Sequence, residues 1–134
     1  MKTLAAETIE LDVPVAELFR LLADIKSYSR LFSLHTTDWS FEGDVADLVY
    51  DGSTHTKLKI YERVPNEKIM VGTFGNNTID FDFELLLSAV EPQKSRLHIS
   101  IKSDTNPVFA SMMESSVLEL KKDFLDELRT WIKE

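Results

Sequence analysis

The feature that most constrains the fold is a long amphipathic run at the end of the chain. Asn106 followed by Pro107 is typical of a helix N-cap and first helical residue, and neither glycine nor proline follows before Glu134. Apolar residues recur in this run at spacings of three and four: Phe109, Met113, Val117, Leu120, Phe124, Leu128 and Trp131. That spacing places them on one stripe of a helix roughly 40 Å long. Such a helix needs a large apolar surface against which to pack.

The preceding chain has the pattern of a sheet. Residues 3–11 alternate between apolar and polar and predict a strand, after which Asp12 and Pro14 mark a short helix ending near Asp24. A second short helix is predicted over residues 28–32, with Ser27 as its cap. Six further strands are predicted over residues 37–41, 46–50, 56–64, 69–74, 79–89 and 96–102, with a hairpin signal at residues 75–77.

Consecutive hairpins with one polar face predict an antiparallel sheet. The polar faces of the last two strands carry opposite charges, which favours their pairing with Lys102 across from Asp82 or Glu84. We therefore predict an α+β fold, in which a curved seven-stranded antiparallel sheet wraps around the long C-terminal helix. The two short helices lie between strands 1 and 2, and residues 1–134 form a single domain.

Composition argues against several classes of partner. The net charge is −8 and the sequence pI is about 4.9, whereas nucleic acids and anionic membranes are bound by basic surfaces. No segment approaches the length of a membrane span, and the N-terminus lacks the apolar core of a signal peptide, so we expect a cytoplasmic protein without stable membrane insertion.

Neither a metal site nor a catalytic triad is predicted. The chain has no cysteine, and its three histidines, His35, His55 and His98, are dispersed along the sequence. No glycine-rich phosphate loop is present. We expect no cofactor, no metal dependence and no hydrolase activity, and we assign no catalytic residue.

The element order and two segments resemble a known superfamily. The segment DVPVAELFRLLADIKSYSRLF, after the first strand, is similar to the proline-led helix and linked second helix of the START-related (SRPBCC) superfamily. The segment NPVFASMMESSVLELKKDFLDELRTWI resembles its gripped C-terminal helix. The superfamily includes polyketide cyclases, plant lipid-binding allergens and lipid-transfer domains. The resemblance implies a helix-grip fold with a ligand site between sheet and helix.

The candidates for that site are strand residues that alternation places on the inner face, residues on or beside the apolar stripe of the long helix, and two residues of the second short helix that could close one end. They are Tyr28, Phe32, Leu58, Ile60, Glu62, Phe81, Phe83, Ile99, Phe109, Met113, Ser116 and Val117. A pocket is expected to open near Met113, to be closed on one side by residues 28–32, and to be solid at the Trp131 end. The alternative is that these side chains fill an ordinary core.

Glu62 has two interpretations. Its parity matches Leu58 and Ile60, so a regular strand would bury its carboxylate, raise the pKa of that group and offer the ligand an acid or a polar anchor. A strand that bulges near Pro65 would instead expose Glu62 to water.

Three functions are compatible with these sequence features. The leading one is binding of a small hydrophobic or amphipathic molecule in a cavity between the sheet and the helix. One alternative is an enzyme similar to polyketide cyclases and dehydratases, and the other is a protein-interaction domain similar to co-chaperones. The oligomeric state, monomer or homodimer, stays open.

Overall fold

A computed structural model describes residues 2–74, 80–104 and 106–134, with the side chain of Phe109 excepted. Across these residues, seven strands and three helices follow one another. Their order is β1 (Lys2–Leu11), α1 (Val15–Leu22), α2 (Ser27–Leu31), β2 (Thr36–Glu42), β3 (Val45–Tyr50), β4 (Thr54–Val64), β5 (Lys68–Phe74), β6 (Asp82–Glu91), β7 (Lys94–Ser103) and α3 (Pro107–Ile132). The predicted hairpin at 75–77 and the predicted start of the sixth strand at Ile79 lie outside the described residues.

The strands form one antiparallel sheet in the order β1-β7-β6-β5-β4-β3-β2. Each hairpin pairs neighbours in sequence, and β1 closes against β7. Helix α3 packs across the apolar face, where it contacts β1, β7 and α2. The predicted α+β helix-grip architecture is confirmed. None of the helices in the described part of the chain is long and apolar enough to cross a lipid bilayer.

The predicted stripe of α3 is buried along most of its length. Val117, Leu120, Phe124 and Leu128 are all inaccessible to solvent or nearly so. The ring of Phe124 lies 5.3 Å from that of Phe32 and 6.3 Å from that of Tyr28, so α2 and α3 meet in an aromatic cluster. In the first turns of α3 the stripe residue Met113 is only half-buried, and Val108 and Met112, which lie outside the stripe, are largely exposed.

The register of the last hairpin is as predicted. Asp82 of β6 lies directly across from Lys102 of β7. The Lys102 ammonium approaches the Glu84 carboxylate, with Nζ 3.5 Å from Oε1. Opposite charges on the solvent faces of the two strands, with residues counted through the turn at Pro92, therefore narrowed the partner of Lys102 to Asp82 or Glu84, and the partner is Asp82.

Strand β4 contains a bulge that determines the orientation of Glu62. Ile60 pairs with Val71 and Glu62 pairs with Met70, which leaves Tyr61 as the additional residue. Glu62 is consequently exposed, and its Oε1 lies 3.0 Å from Lys68 Nζ. The interpretation in which β4 bulges and exposes Glu62 is confirmed. The inward orientation and the site role predicted for Glu62 on a regular strand are wrong, because one inserted residue moves the side chains that follow it to the opposite face.

The same bulge turns Arg63 toward the end of α1. Its Nε and Nη2 donate to the Ala23 carbonyl at 3.0 and 2.7 Å, and the guanidinium also binds Asp44 at 2.9 and 2.7 Å. Ser27 Oγ donates to Leu21 O at 2.6 Å, and Tyr28 Oη donates to Leu22 O at 2.7 Å. Three consecutive carbonyls at the C-terminus of α1, where regular helical partners run out, thereby receive hydrogen bonds from side chains.

This arrangement predicts unequal effects for two adjacent charged residues. Arg63→Ala should lower the free energy of unfolding by about 1–2 kcal/mol, since it removes charge-assisted hydrogen bonds to a helix end and to Asp44 from a partly exposed site. Glu62→Ala removes only an exposed ion pair and should cost less than about 0.5 kcal/mol. Urea unfolding of both variants checks the order, and equal losses would contradict the assignment of Arg63 as a helix cap.

Candidate functional site

An apolar cavity lies between the inner face of the sheet and α3. Its volume is about 50 Å³, taken as the space open to the centre of a water molecule. It is lined by Phe32, Thr36, Leu48, Tyr50, Thr54, Thr56, Leu58, Thr73, Phe81, Phe83 and Leu120. One water occupies about 10–15 Å³ by this measure, so the space would hold a few waters or part of a small organic molecule.

Strand alternation explains which side chains reach the cavity. On β4 the inward residues are Thr54, Thr56 and Leu58, and on β3 they are Leu48 and Tyr50. The two strands align these residues in pairs, with Leu48 across from Thr56 and Tyr50 across from Thr54. The partners in each pair lie on one face, as expected for directly opposed residues of an antiparallel ladder.

The two ends of the cavity differ in polarity. Phe32, Leu58, Phe83 and Leu120 are buried and form the closed end. Tyr50, Thr54 and Thr56 are only half-buried, and they lie where β3 and β4 meet at their connecting turn. The open end is therefore the end that carries hydroxyl groups.

Two of the lining hydroxyls are already engaged within the protein. Thr36 Oγ1 donates to Phe32 O at 2.6 Å and accepts from Trp39 Nε1 at 2.8 Å. Thr73 Oγ1 accepts from the Phe81 amide at 2.8 Å. These two threonines stabilise the cavity wall, and their hydroxyls have little capacity left for a ligand.

The other three hydroxyls are available. Across the ranges that the structure describes, the side-chain oxygens of Tyr50, Thr54 and Thr56 have no hydrogen-bond partner in the protein. Each hydroxyl can donate one hydrogen bond and accept others. The open end can thus recognise a polar group that the closed end would reject.

Burial and two negative charges act on the hydroxyl of Tyr50. Burial raises the pKa of Tyr50 to about 12, with further contributions from the negative charges of Asp51 and Glu119. Tyr50 is therefore a neutral hydrogen-bond donor at physiological pH.

A histidine–aspartate pair lies beside this tyrosine. The ring of His35 stacks on that of Tyr50 with centroids 6.4 Å apart, and its Nε2 lies 2.7 Å from Asp123 Oδ2. The pair joins the segment before β2 to α3. His35 is not one of the residues that line the cavity.

Four residues predicted for the site line this cavity, namely Phe32, Leu58, Phe81 and Phe83. Four others, Tyr28, Ile60, Ile99 and Val117, are buried in the core without reaching it. Tyr28 in particular has its hydroxyl bound to the Leu22 carbonyl, so it caps a helix and does not offer a polar group to a ligand.

The remaining predicted residues lie elsewhere. Ser116 and Glu62 are exposed, so the predicted polar contacts of both with a ligand are not supported by their orientation. Met113 is half-buried against the core but does not line the cavity, which opens instead near the β3–β4 turn. The side chain of Phe109 lies outside the described residues.

Sequence reasoning did not select the hydroxyl-bearing residues. Tyr50 lies two residues from Leu48, and Thr56 lies two residues from Leu58, so strand alternation places both on the inner face of the sheet. A search for polar residues at inward positions near strand ends would have found them. Threonine and tyrosine hydroxyls carry no charge, so they stand out less on an inward face than a carboxylate such as Glu62 does.

No group of three or more His, Asp or Glu side chains converges as a metal site would require among the residues that the structure describes. The expected lack of metal dependence stays a prediction.

Comparison with known proteins gives similarity at the level of structure. No protein-family model matches the sequence, and no curated protein matches it. A START superfamily protein from Mycobacterium smegmatis superposes with a TM-score of 0.78 at 11% identity, over 96% of this chain and 96% of that one. The Zhui aromatase/cyclase from Streptomyces sp. R1128 superposes with a TM-score of 0.73 at 16% identity, over 96% of this chain and 92% of that one.

A third similar structure contains two domains. It is the di-domain aromatase/cyclase BexL from the BE-7585A biosynthetic pathway, with a TM-score of 0.74 and 14% identity. The match covers 97% of this chain and 46% of BexL. The sequence resemblance is thus confirmed for the fold: the chain has the START-like helix-grip fold, which polyketide aromatase/cyclases also adopt.

Proposed function

We propose that this protein binds a small apolar or amphipathic molecule in the cavity between the sheet and α3. The observation that carries the proposal is an apolar recess with three unengaged hydroxyls at its open end. Small-molecule sites typically combine an apolar lining with a few polar groups that orient the ligand. The fold shared with a START superfamily protein supports the same class of function.

The size of the cavity limits the ligand. A cavity of about 150 Å³ binds benzene in an engineered protein, whereas the enclosed space here is about 50 Å³. A single ring would therefore fill the closed end and extend between Tyr50, Thr54 and Thr56. This placement puts the polar part of an amphipathic ligand against hydroxyl groups.

The residues that line the cavity are better suited to binding a ligand than to general acid–base catalysis. Among the described residues, the polar groups that line the cavity are hydroxyls, and none of them titrates near neutral pH. General acid–base catalysis requires a group whose pKa lies near the operating pH. Although the fold is shared with aromatase/cyclases, the described residues that line this cavity include no side chain with a pKa near neutral pH.

The outer face of the sheet offers little support for a protein-interaction function. It carries ion pairs such as Arg96 with Glu10 and Lys102 with Glu84. Tyr61 and Leu86 are exposed on it singly, and isolated apolar residues are ordinary on protein surfaces.

A thermal-shift experiment with a matched pair of variants tests the proposal. Single-ring aromatic alcohols, ketones and quinones should raise the melting temperature of the wild type, because a ligand at about 100 times its Kd stabilises the folded state by about 2.7 kcal/mol. Thr56→Trp fills the open end of the cavity and should abolish the shift. Met113→Trp adds the same side chain outside the lining and should retain it.

The opposite result for the two variants would place the binding site elsewhere. If Met113→Trp abolishes binding and Thr56→Trp does not, the ligand lies along the first turns of α3, as the sequence alone predicts. Failure of every compound to shift the wild type would favour a filled core, and native mass spectrometry of freshly purified protein would then be expected to find no co-purifying ligand.

A further inference from the structure

We infer that the open end of the cavity selects its ligand by charge, accepting an uncharged oxygen-bearing group and rejecting a carboxylate. The inference rests on the proposed function and specifies its substrate class. That class is small aromatic molecules whose polar group is a neutral hydroxyl or ketone.

The first observation is the position of the free hydroxyls. Tyr50 and Thr54 are directly opposed across the β3–β4 ladder, and Thr56 follows Thr54 on the same face. A ketone oxygen between them would accept hydrogen bonds that the protein leaves unmade. A ligand hydroxyl would both donate and accept in the same place.

The second observation is the sign of the surrounding charge. Asp51 follows Tyr50 directly at the turn, and Glu119 precedes the lining residue Leu120 on α3. Both carboxylates act electrostatically on the Tyr50 hydroxyl. Asp123 lies one turn further along α3, where His35 is its partner.

No cation offsets these carboxylates within the lining. Of the described residues that line the cavity, none is lysine, arginine or histidine. A carboxylate ligand would lose hydration in the apolar cavity and gain no opposite charge, while Asp51 and Glu119 would repel it. A neutral ketone of the same shape avoids both costs.

The inference predicts the affinities of a series of para-substituted toluenes, in which the ketone and the carboxylate have the same shape. The series is p-cresol, 4-methylacetophenone, 4-methylbenzoate and p-xylene, which share a tolyl body and differ in the polar group. At neutral pH, NMR titration of the wild type should find 4-methylbenzoate binding at least about tenfold more weakly than 4-methylacetophenone. Equal affinities would overturn the inference and leave the proposed function intact.

Two kinds of variant separate the contributions of charge and hydroxyl. Asp51→Asn combined with Glu119→Gln should narrow the ketone-to-carboxylate ratio by about threefold or more, because it removes the repulsion. Glu17→Gln, an exposed charge on α1, should leave the ratio unchanged. A ratio that does not respond to the double variant would contradict the electrostatic argument.

Thr54→Val together with Thr56→Val tests the hydroxyls. Each replacement keeps the shape of the side chain, so the affinity for p-xylene should be retained while that for 4-methylacetophenone falls about threefold or more. Loss of both affinities would indicate a damaged cavity and would not support hydroxyl recognition. If none of the four compounds binds the wild type, the proposed function fails, and this inference fails with it.

Discussion

Replacing Phe124 by alanine is expected to lower the free energy of unfolding by about 3–5 kcal/mol. Phe124 is 1% exposed and lies within 5.3 Å of Phe32 and 6.3 Å of Tyr28 between ring centroids. Truncation would remove the aromatic contacts of α3 with Tyr28 and Phe32 and leave a void near the cavity that Phe32 lines. Urea unfolding of wild type and variant measures the loss.

An exposed leucine on the same helix provides the control. Leu118 is 44% exposed, so Leu118→Ala should change the free energy of unfolding by less than about 1 kcal/mol. If Phe124→Ala also costs less than about 1 kcal/mol, α3 is not the centre of the core.

The second large effect concerns Tyr28 at alkaline pH. Burial raises the pKa of Tyr28 far above its usual value, and the positive charge of Arg63 opposes this only in part. The folded state therefore keeps Tyr28 neutral when the unfolded chain begins to ionise near pH 10. The contribution of Tyr28 to the free energy of unfolding is therefore fully present below about pH 10. Above that pH, the free energy of unfolding falls by about 1.4 kcal/mol for each pH unit.

Tyr28→Phe isolates this contribution from all other titrating groups. At neutral pH the variant should be less stable by about 1–2 kcal/mol, since it loses the hydrogen bond to the Leu22 carbonyl. Above about pH 10 the variant lacks the ionisable group, and its stability should decline less steeply with pH. Urea unfolding at about pH 7, 10 and 11 checks both statements. Parallel declines in wild type and variant would show that Tyr28 ionises equally in both states.

Much of the fold could be predicted because its signals are local. The 3.6-residue period of Val117, Leu120, Phe124 and Leu128 defines the buried face of α3 wherever the helix lies. Period-two alternation likewise assigns one face to each strand. The opposite charges of β6 and β7, together with the position of the turn at Pro92, narrowed the partner of Lys102 to Asp82 or Glu84.

The orientation of Glu62 could not be decided in the same way, because the sequence allowed both a regular strand and a bulge. A bulge inserts one residue at Tyr61, and the residue that then turns toward α1 is Arg63. What favours this arrangement is the C-terminus of α1, whose last carbonyls receive hydrogen bonds from Arg63 and Tyr28. The contact of Arg63 joins residues far apart in the sequence, so no local pattern contains it.

The sequence by itself determined the apolar faces of α3 and of most strands, and this was sufficient to identify Leu58, Phe81 and Phe83 as inward residues. Phe32 was predicted from its place in the second short helix. Only the tertiary structure decided which inward side chains meet and which leave space between them. A cavity is the volume that remains after helices and strands have packed, and it depends on the sum of many contacts between distant residues. For that reason the cavity is lined by Tyr50 and Thr54, whereas Met113 packs against the core outside it.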